Sequence, residues 1–206
     1  MPELIAAAGS PRLLPAIQAL YEEAFPERER IPFGVLSDPG CFELLAITEK
    51  GVFLGFAACR RKASLSSLVY FAILPEKRSQ GIGGAALERL LEHLAGTPVF
   101  IDIEDPETAG DGQALRGRRM RFYERHGFSD MGFTESWQGV RYRILSRGGR
   151  ISAQDVQRFW GAIARPQVIF NSARTHRSRG ANPRRALQGK ATAGSQPSEA
   201  RAFWLE

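Results

Sequence analysis

A glycine-rich segment between a predicted strand and a predicted helix is the part of the sequence best suited to binding a ligand. It reads Arg78-Ser79-Gln80-Gly81-Ile82-Gly83-Gly84. Glycines let the backbone turn tightly and approach a ligand closely, and a helix N-terminus presents unpaired N–H groups that attract an anion. The segment therefore predicts a site for a phosphate-bearing ligand.

Two known phosphate-binding motifs share features with this segment. A P-loop is excluded because no Gly-Lys-Ser/Thr follows at the required spacing. The GxGxxA form of a dinucleotide fingerprint fits Gly81, Gly83 and Ala86, and Asp102 lies 21 residues beyond Gly81. However, the stretch 75–80 separates the preceding strand from Gly81, whereas in that fingerprint the first glycine closes the strand almost directly. An NAD(P)-binding protein stays as an alternative.

Two acidic residues have the chemistry of proton transfer. Asp102 and Glu104 are two apart on one predicted strand, so their side chains share a face. Like charges at close range favour a carboxylate that can act as a general base near neutral pH. A strand end that carries solvated acids is the competing interpretation.

The elements that must position these residues predict a mixed α/β fold. Apolar periodicity, β-forming residues and turn residues alternate along the body of the chain. The closing pair of strands follows a helix that Gly127 ends. The predicted order is helix 13–25, a hairpin of strands 41–50 and 52–61, strand 68–74, helix 82–95, strand 98–104, helix 113–126, and strands 127–136 and 139–145.

The net charge of +6 is distributed unevenly over the 206 residues. Residues 1–146 carry 17 basic and 19 acidic side chains, whereas residues 147–206 carry 11 and 3. We therefore divide the chain into a domain at 1–146, a possible helix within 147–165 that begins at Ser152, and a basic tail at 166–206. The tail is expected to be disordered, because from about Arg174 it has few large apolar residues and no periodicity. It leaves nucleic-acid association as an alternative that the body does not favour.

Other classes of protein are disfavoured by composition. The two cysteines lack CxxC spacing and the three histidines form no ligand pattern, so neither a disulfide framework nor a metal site is expected. No apolar run reaches the ~18 residues of a membrane span, and the first residues make a poor secretory signal. A cytoplasmic protein is the expectation.

Two motifs together resemble the GNAT superfamily of acyl-CoA-dependent N-acyltransferases. The first is Arg78-x-x-Gly81-x-Gly83 after Leu74-Pro75-Glu76, and the second is Phe122-Tyr123-Glu124-Arg125-His126-Gly127-Phe128 about 40 residues later. The resemblance covers residues 12–146. The segment Phe25-Pro26-Glu27-Arg28-Glu29-Arg30 also resembles the connection between helices 1 and 2 in some bacterial GNAT proteins.

The resemblance implies acetyl-CoA as co-substrate and no metal. The backbone N–H groups of residues 80–84, with Ser79 and Arg78 beside them, would hold the CoA diphosphate. The strand end Phe71-Ala72-Ile73 would pair with the pantetheine arm, and a backbone N–H near Ile73 or Leu74 would polarise the thioester carbonyl.

The resemblance also implies roles in catalysis and acceptor binding. Tyr123 would protonate the departing thiolate, although a core aromatic is the competing interpretation. Glu104 is preferred over the shorter Asp102 as base, since the family commonly has Glu where Asp102 aligns. Glu29 and Arg30 are expected to contact the acceptor.

The acceptor is expected to be a small cationic amine, because acidic residues cluster in the segments that border it in the family: Glu29, Asp102, Glu104, Asp105, Glu107 and Asp111. A peptide amine stays open, as does an acyl-CoA-binding protein without turnover. Arg116 and Arg119 replace the family's Asn and Ala, and the five arginines of helix 113–126 are interpreted mainly as a solvated face.

Overall fold

A mixed sheet is the centre of the fold, as the sequence predicted, and residues 1–161 contribute seven strands to it where six were predicted. The computed structural model describes residues 1–161. In chain order the strands are β1 Glu3–Ala6, β2 Glu43–Glu49, β3 Val52–Lys62, β4 Leu65–Ile73, β5 Val99–Glu104, β6 Ser129–Trp137 and β7 Val140–Arg147. Across the sheet they follow the order β1-β2-β3-β4-β5-β7-β6.

Within residues 1–161, five α-helices flank the sheet on both faces. They are α1 Leu14–Ala24, α2 Phe33–Leu36, α3 Ile82–His93, α4 Gln113–Arg125 and α5 Ala153–Trp160. Apolar residues of α3 and α4 share one core cluster with one face of the sheet. Residues of α1, α2 and α5 share a second cluster with the opposite face. The predicted flanking helices are confirmed. None of the helices within 1–161 has the length and apolar character needed to cross a membrane.

The predicted hairpin between β2 and β3 is confirmed. Lys50 and Gly51 form its turn, with φ of 51° and 78°. A two-residue turn with both φ angles positive matches the right-handed twist of the strands it joins.

Two short elements were missed by the sequence analysis. Strand β1 adds to the edge of the sheet, where Glu3 lies opposite Thr48 of β2. Helix α2 is a single turn in the segment predicted to be a connection. Four residues are too few to show either a helical or a strand period, so neither element had a signal to detect.

Strands β4 and β5 pair for only a short distance and then diverge. Their parallel register joins Ser66 to Val99 and Ser67 to Phe100, and no further pairs follow. The register between β3 and β4 shifts in the same region and leaves Val69 as an extra residue, a β-bulge. A cleft therefore opens between β4 and β5 in the middle of the sheet.

Helix α5 begins at the predicted N-cap. The Ser152 side chain accepts from the Asp155 N–H, and the Asp155 carboxylate accepts from the Ser152 N–H, which makes a capping box. Phe159 and Trp160 are buried against the sheet. The end of the helix predicted at 151–164 and the basic tail 166–206 lie outside the described residues.

Candidate active site

The cleft between β4 and β5 contains a cavity of about 80 Å3, room for only a few water-sized groups. Residues 68–71 of β4 and 101–104 of β5 form two of its walls. The remaining side chains come from the connection after α1, from α4 and from the last two strands: Phe25, Glu29, Arg119, Tyr123, Trp137 and Tyr142. Residues far apart in the chain thus meet where the sheet opens.

The backbone of β4 presents hydrogen-bonding groups to this cleft. The Leu74 N–H donates to the Leu54 carbonyl at 2.8 Å. Because N–H groups alternate in direction along an antiparallel strand, those of Ile73 and Phe71 turn away from β3 and toward the cleft. Leu74, one of the two donors expected to polarise a carbonyl, is therefore occupied within the sheet, and that part of the expectation is wrong.

The glycine-rich segment leads from β4 into α3. Ser79 and Gly81 have φ of 58° and 75°, in the left-handed region that Gly81 adopts without steric cost. Gly81 is the N-cap of α3, and no side chain caps the helix. The first N–H groups of α3 therefore point out of the helix end, toward any anion that binds there.

Arg78 connects this segment to the end of β4. Its Nε donates to the Ile73 carbonyl at 3.0 Å. Burial is the main cause of a lowered pKa of the Arg78 guanidinium, although nearby glutamates oppose it. Arg78 thus holds the glycine segment against the same strand end that faces the cleft.

Glu104 lies between two arginines of α4. Its carboxylate oxygens are 3.6 Å from Arg116 Nη1 and 3.5 Å from Arg119 Nη1. Arg116 also donates to the Thr108 and Asp111 carbonyls. Both arginine side chains are about one-tenth exposed, so the interpretation of this helix face as solvated is wrong for these two residues. Their charges compensate that of Glu104.

Glu29 faces the cavity with its side chain largely buried. The Tyr142 hydroxyl donates to Glu29 Oε2 at 2.8 Å. Burial raises the pKa of the Glu29 carboxyl, the Tyr142 hydrogen bond opposes that rise, and the negative charge of Glu104 adds to it. Arg30, which was expected to contact the acceptor together with Glu29, is not part of the cavity wall.

Tyr123 packs in the core and also lines the cavity. Its ring contacts Phe122 and Phe128 edge-on, with centroids 5.2 and 5.5 Å away. Burial raises the pKa of its hydroxyl, the Arg119 charge opposes that rise, and the Asp102 charge adds to it. The Tyr123 hydroxyl is therefore protonated at neutral pH and able to donate.

The acidic residues beyond β5 turn away from the cavity. Asp105 is fully buried, and Arg141 and Arg143 pair with its carboxylate. Glu107 pairs with Arg143 at 2.8 Å. The negative charge that borders the cavity thus comes from Glu29, Asp102 and Glu104. Within residues 1–161, no three His, Cys, Asp or Glu side chains are grouped so as to hold a metal ion.

Solved structures share this architecture. A protein from Bacteroides thetaiotaomicron assigned to the GNAT family has a TM-score of 0.61 at 22% identity, over 76% of this chain and 92% of its own. The ribosomal-protein-S18-alanine N-acetyltransferase from Escherichia coli has a TM-score of 0.51 at 18% identity, over 75% and 98%. Arabidopsis thaliana Naa50, in complex with the bisubstrate analogue CoA-Ac-MVNAL, has a TM-score of 0.53 at 13% identity, over 72% and 99%. At these identities the likeness establishes the fold.

Similarity in sequence to a protein family covers part of the chain. None of the curated proteins matches it in sequence. The acetyltransferase (GNAT) domain family matches residues 41–130, which contain the diverging strands, the glycine segment and Tyr123. Residues 41–130 therefore form an acetyltransferase domain of the GNAT family.

Proposed function

We propose that this protein transfers an acetyl group directly from acetyl-CoA to a primary amine. The observation that carries the proposal is the continuity of the site. Residues 68–71 of β4 line the cavity with Tyr123, β4 continues to Ile73, and the glycine segment leads from the end of β4 to the uncapped start of α3. This path suits a long ligand with a diphosphate at one end and a thioester at the other.

The parts of the path match the parts of acetyl-CoA. The N–H groups of residues 80–84 receive the diphosphate, assisted by the helix dipole of α3. The N–H groups of Phe71 and Ile73 pair with the pantetheine arm. The N–H of Ala72 between them points toward β3, so the two cleft-facing N–H groups are two residues apart. The bulge at Val69 brings the thioester to the cavity, where a β4 N–H stabilises the oxyanion.

The side chains around the cavity supply the proton transfers. A carboxylate removes a proton from the acceptor's ammonium, and the neutral amine attacks the thioester carbonyl. As the carbon–sulfur bond breaks, the Tyr123 hydroxyl protonates the thiolate. Asp102 and Glu104, which the sequence indicated as bases, both line the cavity and stay candidates for the first step.

Acetyl-CoA is expected to stabilise the protein against heat, whereas NAD and NADP are not. A ligand at 100 times its Kd adds about 2.7 kcal/mol to the free energy of unfolding. In a protein of this size that corresponds to a rise in Tm of roughly 5–10 °C. Thermal unfolding with each ligand at equal concentration measures the difference. A rise with a dinucleotide and none with acetyl-CoA would support the GxGxxA alternative instead.

The charge at the cavity favours a cationic acceptor. Glu29 and Asp102 add negative charge, while Arg119 compensates Glu104. The small volume suits a slender primary amine. A peptide N-terminus is the second candidate, because the Arabidopsis neighbour is bound to a CoA-linked peptide and the E. coli neighbour is named for alanine acetylation on a ribosomal protein.

Three amines of similar length test the charge argument, because the second group is cationic in 1,3-diaminopropane, neutral in 3-aminopropanol and anionic in β-alanine. We expect kcat/KM to fall in that order, by about 10-fold or more from first to last, since ~1.4 kcal/mol of charge interaction gives a factor of ten. A peptide with a free N-terminus is assayed beside them with acetyl-CoA. Transfer to β-alanine alone would contradict the proposed acceptor class.

A further inference from the structure

The loop after α1 holds Glu29 at the cavity through hydrogen bonds from distant parts of the chain. The Tyr70 hydroxyl donates to the Glu29 carbonyl at 2.7 Å and accepts from the Ile31 N–H at 3.1 Å. The Tyr21 hydroxyl donates to the Ile31 carbonyl at 3.0 Å. The backbone on both sides of Arg30 is thus fixed, which preorganises the Glu29 side chain for chemistry.

The Glu29 carboxylate is held at one oxygen. Oε2 accepts from Tyr142, while Oε1 lies 3.6 Å from Nε of Arg28. The Glu29 side chain is only 12% exposed, whereas that of Arg28 is 57% exposed. Water therefore screens Arg28 and leaves it a weak partner. Glu29 keeps the capacity to accept a further proton within the cavity.

The other two carboxylates of the cavity are less suited to that step. Both oxygens of Glu104 pair with guanidinium groups, those of Arg116 and Arg119, so neither oxygen faces the cavity alone. Asp102 has a shorter side chain than Glu29, and it interacts electrostatically with Tyr123, the proposed acid, as well as with Tyr142. We infer that Glu29, rather than Glu104 or Asp102, takes the proton from the acceptor's ammonium. This inference rests on the proposed amine acetylation.

The surroundings of Glu29 also suit a base. Burial raises the pKa of its carboxyl above the ordinary value, toward the working range of a general base. The groups that face it are Tyr142 from β7, Glu104 from β5, Arg119 from α4 and Arg28 from its own turn. Tyr142, Arg28 and Arg119 lower this pKa, and Glu104 raises it.

Each proton that moves during the transfer has a donor and an acceptor. The ammonium loses a proton to Glu29, and its lone pair forms the new carbon–nitrogen bond as the thioester carbonyl becomes an oxyanion. The oxyanion collapses, the carbon–sulfur bond breaks, and the sulfur takes the proton of Tyr123. The amide nitrogen releases its extra proton to solvent. Solvent reprotonates Tyr123 and deprotonates Glu29 before the next turnover.

The test is the pH profile of kcat/KM with acetyl-CoA and 1,3-diaminopropane. A base must be ionised, so activity is lost as the pH falls through the pKa of Glu29. In Tyr142→Phe a hydrogen bond that lowers this pKa is absent, so the acidic limb moves to higher pH. In Glu104→Gln a charge that raises this pKa is absent, so the limb moves to lower pH. A purely structural effect of either substitution would lower the maximal kcat/KM and leave the pH of the acidic limb unchanged.

Glu29→Gln removes the base and keeps a carbonyl oxygen that can accept from Tyr142. We expect kcat/KM to fall by about 100-fold or more at neutral pH. The residual rate should rise steadily up to about pH 9, because only amine already deprotonated in solution then reacts. Unchanged Tm and an unchanged Tm rise with acetyl-CoA show that the variant is folded and binds the donor.

The outcomes separate the inference from the proposed function. Wild-type transfer to the amine supports the proposed function whatever the variants do. If Glu29→Gln keeps the wild-type rate and limb, the inference is wrong. It is equally wrong if Asp102→Asn or Glu104→Gln abolishes the acidic limb while Glu29→Gln retains it, since either result moves the base to β5.

Discussion

Replacement of Tyr123 with phenylalanine is expected to lower kcat for acetyl transfer by about 100-fold. General acid catalysis contributes about 10²- to 10⁴-fold, and the lower end applies because a thiolate with a pKa near 8.5 leaves without full protonation. Burial raises the pKa of the Tyr123 hydroxyl, so the proton to be donated is present throughout the neutral range. Steady-state kinetics at saturating acetyl-CoA measure the loss.

The Tyr123→Phe variant retains the packing of the ring. Its contacts with Phe122 and Phe128 involve no hydroxyl, so the cavity wall should keep its shape. The Tm rise with acetyl-CoA is the control and should match that of the wild type. A variant that binds acetyl-CoA normally and keeps the wild-type kcat would reduce Tyr123 to a packing residue, which was the competing interpretation of the sequence.

Local signals made most of the fold predictable. The turn at Lys50-Gly51 and the start of α5 at Ser152 each depend on a few adjacent residues whose conformational preferences are strong. The glycine segment likewise carries its own signal, because Gly81 adopts a left-handed conformation at the start of α3. Such features can be located from the sequence without knowing what packs against them.

The chemistry around the cavity depends on contacts between distant residues, and there the sequence was a poorer guide. Glu29 was identified as an acceptor contact, but its hydrogen bond to Tyr142 spans 113 positions of the chain. The inward turn of Arg116 and Arg119 depends on Glu104 of a neighbouring strand. The amino-acid composition gives the number of charged residues but does not show which of them form ion pairs.

The helix after the proposed domain end illustrates the same point. The charge count placed a division at residue 146, and the helical pattern of α5 was recognised beyond it. However, its packing depends on Phe100 of β5, whose ring meets that of Phe159 edge-on with centroids 5.0 Å apart. Arg60 of β3 lies over the same ring at 5.4 Å. The contribution of these contacts to the free energy of unfolding can therefore be measured.

Phe159→Ala is expected to lower the free energy of unfolding by about 3–5 kcal/mol, the usual cost of removing a fully buried aromatic ring. Phe159 is 2% exposed and belongs to the same core cluster as Phe100 and α1. Urea denaturation followed by circular dichroism measures the change. The exposed Gln157 of the same helix provides the matched control, and Gln157→Ala should change stability by no more than about 0.5 kcal/mol.

The size of the Phe159 effect decides whether α5 unfolds together with the sheet. A loss of several kcal/mol in a single transition requires that the helix and the strands beneath it unfold as one unit. A loss below about 0.5 kcal/mol would instead make α5 an appendage that the sheet does not need. Because β5 carries Phe100 on one face of the sheet and Asp102 and Glu104 at the cavity, cooperative unfolding would also tie the stability of the catalytic strand to α5.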